Sequence, residues 1–166
     1  PLFGICLGNQ LVGLAAGAKT TKLRFGNRGQ NQPVVDRRTG ECFVTSQNHG
    51  YAVDDAELPA DWSTLYTNAN DGSNEGLVHR TLPYFTAQFH PEACGGPNDA
   101  AFLFDVFVDA CARHKAARVA NATLPDPALR FDSLHSKPAA VKHEAAKASG
   151  TLIPKKVLLL GSGGLS

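Results

Sequence analysis

The hydrophobic pattern at the start of the chain predicts a strand, a sharp turn and a helix. Leu2–Ile5 is a short apolar run. Apolar residues then recur at helical spacing, at Leu7, Leu11, Leu14 and Ala18. Because a strand this apolar is usually buried between two others, we expect its neighbours to come from elsewhere, in a missing N-terminal part of the domain. The absence of Met, even at position 1, favours the same interpretation.

Residues 22–90 have the short apolar runs and the Asn, Asp and Gly clusters that are typical of strands and turns. Gly40 and Glu41 separate residues 33–35 from residues 42–45, which predicts a hairpin. Further strands are expected within residues 51–53, 63–67, 76–79 and 84–89.

The apolar periodicity after residue 96 predicts a second helix, which is opened by Pro97-Asn98-Asp99 and runs to about Lys115. Asn98 is its expected N-cap. The apolar face of this helix comprises Phe102, Leu103, Val106, Phe107, Ala110 and Cys111. A polar stripe comprises Asp105, Asp109 and Arg113.

A change in composition divides the chain into three parts. Residues 1–115 form the first predicted domain, and residues 116–154, which are rich in Ala and Pro, are interpreted as a linker. Residues 155–166 restart as an apolar strand and a Gly-rich turn, as if a new α/β domain begins there. A phosphate-binding loop in that turn is only weakly indicated, because position 166 is Ser where the motif has Gly.

The composition narrows the function classes. Apolar residues make up 43% of the chain and charged residues 19%, as in a globular core. The net charge is +1 without a basic stripe, so nucleic-acid binding is not expected, and the apolar runs are too short to predict a membrane span. The four cysteines lack any C-x-x-C pair, so we interpret them as thiols and expect no metal site.

Gly4-x-Cys6-x-Gly8 has the form of a nucleophile elbow, in which small residues allow a tight strand-to-helix turn. The helix N-terminus would favour a thiolate, and the backbone N–H of Leu7 could stabilise an oxyanion. A buried structural cysteine between unrelated glycines is the alternative interpretation.

His90-Pro91-Glu92 is the best candidate for the base that such a nucleophile needs. Residues two apart share a strand face, so Glu92 can orient the imidazole of His90. His49 stands beside Gly50, which suggests close approach to a ligand, although an ordinary turn explains the pattern equally well.

Three motifs resemble those of the class I, or triad, glutamine amidotransferases: Gly-Ile-Cys-Leu-Gly-Asn-Gln at 4–10, Gln-Asn-His-Gly-Tyr-Ala-Val at 47–53 and Gln-Phe-His-Pro-Glu at 88–92. The middle motif is similar to that of the glutaminase part of carbamoyl-phosphate synthetases. Residues 27–33 and 70–76 resemble the eukaryotic fused forms, and residues 156–166 resemble the opening of the synthetase half.

The resemblance implies a central mixed sheet flanked by helices and a role for each matching residue. Cys6 would form a glutamyl thioester, His90 would transfer protons and Glu92 would orient His90. Glutamine would be held at Leu7, Gln10, Asn48, Gly50 and Tyr51, with Leu7 supplying an oxyanion N–H. Asn9 departs from the motif, where His is common, but it lies beside the triad.

The resemblance also implies partners. Ammonia from glutamine would pass to a C-terminally fused synthetase domain and react with bicarbonate activated by ATP. No cofactor is expected within residues 1–166, whereas ATP and Mg would bind the synthetase domain. A cytoplasmic protein is expected, with the mitochondrial matrix as the alternative, and the pathway, pyrimidine or arginine, stays open. The rival functions are the glutaminase of another triad amidotransferase and a non-catalytic regulatory module.

Overall fold

The computed structural model describes residues 1–93, 96–119 and 159–160. The strands are β1 (Leu2–Ile5), β2 (Thr20–Asp36), β3 (Cys42–Val53), β4 (Trp62–Asn68), β5 (Asn74–His79), β6 (Tyr84–Ala87) and β7 (Leu159–Leu160). The helices are α1 (Leu7–Ala16) and α2 (Phe102–Val119), with a short 3₁₀ turn at Asp55–Glu57.

The described strands form one mixed sheet in the order β3-β2-β4-β5-β6-β1-β7. β1 runs parallel to β6 and β7, whereas the other pairs are antiparallel. The mixed sheet with helices predicted from the sequence is therefore confirmed. The expectation that both neighbours of β1 lie elsewhere was wrong, because β6 and β7 of this chain flank it.

The predicted hairpin is the β2–β3 hairpin, but both strands are longer than expected. Residues 42–45 and 51–53 belong to the single strand β3, which pairs with β2 from Thr20 to Val35 through two register shifts. β6 ends at Ala87, two residues before the predicted end, because the chain bends there toward β3.

The periodicity predicted α1 correctly but not its buried face. Leu7, Leu11 and Leu14 are about half exposed in the described part of the chain, whereas the buried residues of α1 are Gly8, Asn9, Val12 and Gly13. Small residues are required on this face because a Cβ on Gly13 would lie 2.8 Å from Cγ2 of Val53. The helix ends at Gly17, whose φ of 104° is the left-handed conformation that glycine adopts at little cost.

α2 begins at Phe102, so Asn98 lies four residues upstream and is not its N-cap, contrary to the prediction. The helix also continues past Lys115 to Val119, into the segment interpreted as a linker. Its apolar face packs as predicted, since Leu103, Val106, Phe107 and Ala110 join the main core cluster with Phe3 and Phe85 of the sheet.

Residues 94–95, 120–158 and 161–166 lie outside the described part, so most of the proposed linker and the Gly-rich turn stay predictions. Cys6, Cys42 and Cys111 are free thiols, and Cys94 is outside the described residues. None of the described helices is both long enough and apolar enough to cross a membrane.

Candidate active site

Cys6 occupies a strained turn between β1 and α1. Its φ of 53° and ψ of −104° make it the one non-glycine residue with positive φ among those described. Two hydrogen bonds hold the turn: the Cys6 N–H donates to Ala87 O at 2.8 Å, and Cys6 O accepts from the Asn9 N–H at 3.0 Å. A Cβ on Gly4 would lie 2.9 Å from the carbonyl carbon and oxygen of Gly8, so the elbow requires a glycine at position 4.

Leu7 and Gly8 are the first two residues of α1, directly after the sulfur-bearing residue. The first N–H groups of a helix have no intrahelical acceptor and carry the positive end of its dipole. The Leu7 side chain is 47% exposed, so its contribution at the site comes from its backbone N–H. This N–H is available for an oxyanion that forms at the sulfur.

His90 reaches Cys6 because β1 and β6 are adjacent and parallel. Their carboxyl ends meet at the same edge of the sheet, where Cys6 follows one strand and His90 lies three residues beyond the other. The His90 N–H donates to Ser46 O at 2.8 Å, which anchors this segment to β3. The imidazole is almost fully buried, and its Nδ1 lies 2.7 Å from Oε1 of Glu92, whose side chain is 41% exposed.

The electrostatics favour a charged His90. Its side-chain hydrogen bond with Cys6 is the main cause that raises the pKa of His90 to about 10, and the hydrogen bond with Glu92 is the second, while burial opposes both. Burial raises the pKa of Glu92, but the bond and charge of His90 outweigh it and the net pKa is lowered. An imidazolium beside a thiolate is therefore favoured at neutral pH.

The structure joins two of the predicted glutamine-binding residues directly. Nε2 of Gln10 donates to Tyr51 O at 3.1 Å, so α1 is tied to β3 next to the elbow. The Tyr51 side chain is 48% exposed. Asn48 is exposed and lies opposite Arg28 on β2, and the guanidinium of Arg28 lies beside Gly50.

Sequence reasoning missed Gln88. Its side chain is fully buried, and Nε2 donates to Cys6 Sγ at 3.7 Å. Its Oε1 accepts from Nε2 of Gln10 at 3.1 Å. The signal that could have found it is the alternation of Gln88, His90 and Glu92, which share a face if the strand continues.

His49 is buried in β3 and is not part of a turn, which corrects one of the two interpretations of its setting. Its Nδ1 lies 2.9 Å from Tyr51 O, and its Nε2 lies 3.0 Å from Gln47 Oε1 and 3.5 Å from Glu75 Oε1. All three partner atoms are acceptors, so the geometry favours an imidazolium with two N–H donors.

Glu75 on β5 is the charge that the sequence did not pair with His49. Burial lowers the pKa of His49, but the hydrogen bond and charge of Glu75 outweigh it, and the net pKa is raised. The charge of Cys6 acts in the same direction. Glu75 is fully buried and also accepts from Nδ2 of Asn68 at 3.3 Å, and burial is the main cause that raises its own pKa.

The model of the class I glutamine amidotransferase family matches residues 1–110. The multifunctional protein pyrABCN of Emericella nidulans is 51% identical over 166 residues, which are all of this chain and 7% of that protein. The arginine-specific small chain of carbamoyl phosphate synthase from Neosartorya fischeri is 53% identical over 133 residues, 78% of this chain and 29% of that protein. This chain therefore spans less than a third of either relative.

Among solved structures, the chain is similar to a protein of Thermoplasma acidophilum described as belonging to GMP synthase. The TM-score is 0.63 at 25% identity, over 71% of this chain and 60% of that chain. This likeness agrees with the mixed sheet in which β1 and β6 bring Cys6 and His90 to one edge.

Proposed function

Because this chain belongs to the class I glutamine amidotransferase family, we propose that it hydrolyses glutamine and supplies the ammonia for carbamoyl phosphate synthesis. The observation that carries the proposal is the position of His90, which is hydrogen-bonded to Glu92 on one side and to Cys6 on the other. A nucleophile, a proton-transfer group and an orienting carboxylate are the three parts that acyl transfer to a thiol requires.

In the proposed reaction the thiolate of Cys6 attacks the side-chain amide carbon of glutamine, and the N–H of Leu7 stabilises the oxyanion. His90 gives a proton to the departing nitrogen, so ammonia leaves and a glutamyl thioester remains on Cys6. A water molecule then loses a proton to His90 while it attacks the thioester. Glutamate is released, and the thiolate and imidazolium are restored.

Glu92 has the supporting role in this scheme. Because its Oε1 accepts from Nδ1 of His90, the other ring nitrogen, Nε2, is left to exchange protons at the sulfur. The exposed edge of β3 supplies the proposed glutamine-binding residues Asn48, Gly50 and Tyr51. Gln10 supports them, since it fixes the Tyr51 carbonyl.

We propose that the chain belongs to a longer polypeptide in which a synthetase domain follows. The alignment with the multifunctional protein covers all 166 residues, whereas that with the separate small chain covers 78% of this chain, which supports the fused arrangement. ATP and Mg would bind the synthetase domain. The described residues contain no group of three or more His, Cys, Asp or Glu side chains that could hold a metal, so glutamine hydrolysis is assigned to protein groups alone.

The compartment follows from the proposed pathway. A fused enzyme of pyrimidine synthesis is proposed to be cytoplasmic, and an arginine-pathway enzyme would be mitochondrial. Localisation of the tagged full-length polypeptide, together with growth tests on uracil and arginine after its disruption, distinguishes the two.

Cys6→Ser in the full-length polypeptide tests the proposed chemistry. We expect it to abolish carbamoyl phosphate synthesis from glutamine and to leave synthesis from added ammonia intact, because a serine hydroxyl is not activated in a site built for a thiolate. Cys42→Ser, which changes an exposed thiol, is the matched control and should retain both activities. Full use of glutamine by Cys6→Ser would exclude Cys6 as the nucleophile, and loss of both activities would indicate a structural role.

A further inference from the structure

A chain of hydrogen bonds through buried side chains links the backbone of β5 to the sulfur of Cys6. The Leu77 N–H donates to Thr86 Oγ1 at 2.7 Å, and Thr86 Oγ1 donates to Asn9 Oδ1 at 2.6 Å. Nδ2 of Asn9 donates to Gln88 Oε1 at 3.1 Å, and Nε2 of Gln88 donates to Cys6 Sγ at 3.7 Å. Thr86, Asn9 and Gln88, which we call the amide relay, are all fully buried.

The direction of the relay is fixed at the β5 end. A backbone N–H can only donate, so the Thr86 hydroxyl accepts from Leu77 and has one proton to give. That proton goes to Asn9 at 2.6 Å, since the competing acceptor, Leu77 O, is 3.5 Å away. Asn9 must therefore turn its carbonyl toward Thr86 and its NH₂ toward Gln88.

A second donor fixes Gln88 in the same orientation. Nε2 of Gln10 donates to Gln88 Oε1 at 3.1 Å, so two N–H groups converge on this oxygen. A reversed amide would place its own NH₂ against both donors, which would leave buried donors unpaired. Gln88 consequently presents an N–H, and not a carbonyl, to the sulfur of Cys6.

An N–H donor favours the charged form of the sulfur over the neutral thiol, because a hydrogen bond to an anion is stronger than one to a neutral atom. We propose that Gln88 is a catalytic residue that stabilises the thiolate of Cys6, with Asn9 and Thr86 as positioning residues that hold its amide in the productive orientation. This inference rests on the proposed function and assigns the thiolate a partner in addition to His90.

Gln88→Met in the full-length polypeptide tests the proposal, because methionine is close in size and has no N–H. The measurement is the pH dependence of Cys6 alkylation by iodoacetamide, followed by mass spectrometry of the peptide that contains Cys6. The titratable groups facing Cys6 are His90 and His49, with Glu92 and Glu75 behind them. All four are retained in the variant, so a change in the midpoint belongs to the amide.

We expect the midpoint of alkylation to rise by about one pH unit in Gln88→Met, equivalent to an about tenfold slower reaction below the midpoint. Glutamate release should fall by a similar factor at neutral pH and recover as the pH is raised. Gln47→Met is the matched control: Gln47 is equally buried, but its amide contacts Thr45 and His49, so the alkylation midpoint should not move.

Thr86→Val provides a second variant of similar shape in case Gln88→Met does not fold. It removes the hydroxyl that orients Asn9, and a smaller rise of the midpoint is expected. An unchanged midpoint in the folded variants would overturn the role of Gln88. A wild-type polypeptide that releases no glutamate would instead contradict the proposed function, so the two failures are distinguishable.

Discussion

Replacing Glu92 by Gln separates the charge of the third triad member from its hydrogen bond. Glu92 Oε1 lies 2.7 Å from Nδ1 of His90, and a glutamine carbonyl can accept the same N–H. The negative charge that favours the imidazolium is lost. A glutamine that turned its NH₂ toward Nδ1 would put the ring proton on Nε2, where it blocks proton uptake at the sulfur.

The magnitude follows from the bond and from its exposure. A hydrogen bond to a charged group is worth about 1.5–3 kcal/mol, against about 1 kcal/mol for a neutral one. The Glu92 side chain is 41% exposed, so solvent screening favours the lower end of that range. The difference corresponds to about one pKa unit. Because the pKa of His90 is raised to about 10 in part by Glu92, the variant should lose the imidazolium at lower pH.

The assay is steady-state release of glutamate from glutamine by the full-length polypeptide as a function of pH. We expect the alkaline limb of kcat/KM to move down by about one pH unit. We expect a fall in rate of no more than about 100-fold, the lower end of the range for general acid–base transfer, with larger losses for His90→Ala and for Cys6→Ser.

Glu57→Gln is the matched control for this prediction. Glu57 has a 44% exposed side chain and pairs with Lys19 at 3.1 Å on the surface, so the same substitution there should leave the pH profile unchanged. Damage from Glu92→Gln as severe as that from Cys6→Ser, in a folded variant, would refute the orienting role. Glu92 would then have to take part in proton transfer itself.

Two substitutions of glycine test the close approaches around the site. Gly4→Ala should lower glutamate release by about 100-fold, since its Cβ would displace the backbone at Gly8 and with it the sulfur; unchanged turnover would contradict the elbow geometry. Gly76→Ala should lower the free energy of unfolding by about 1–3 kcal/mol in urea titrations, because its Cβ would press on the Thr86 carbonyl and lie 2.7 Å from Cδ2 of Tyr66. An unmoved midpoint would show that β5 can shift away from β6.

Local patterns predicted the parts of this fold that local forces determine. The β1–α1 turn was found from Gly4 and Gly8, and the structure accounts for Gly4 by the contact that a Cβ would make. The β2–β3 hairpin was found from the residues at its turn. His90 and Glu92 were paired because they are two residues apart, and the structure places them in hydrogen-bond contact.

Features that depend on long-range packing could not be predicted in this way. The leucines of α1 have the spacing of a buried face, yet close contact with Val53 requires the small residues on the other side to face the sheet. Gln88 and Asn9 are 79 positions apart and meet only because β6 lies beside β1. Likewise, nothing in the local sequence pairs His49 on β3 with Glu75 on β5.

The backbone at Cys6 has a thermodynamic consequence. A φ of 53° with ψ of −104° is a conformation that costs a side-chain-bearing residue about 1–3 kcal/mol, and glycine would adopt it more easily. The native state therefore gives up part of its stability to hold a sulfur at this point. Selection for glutamine use opposes the relief of this strain, so a descendant that lived on free ammonia could lose the cysteine and become more stable.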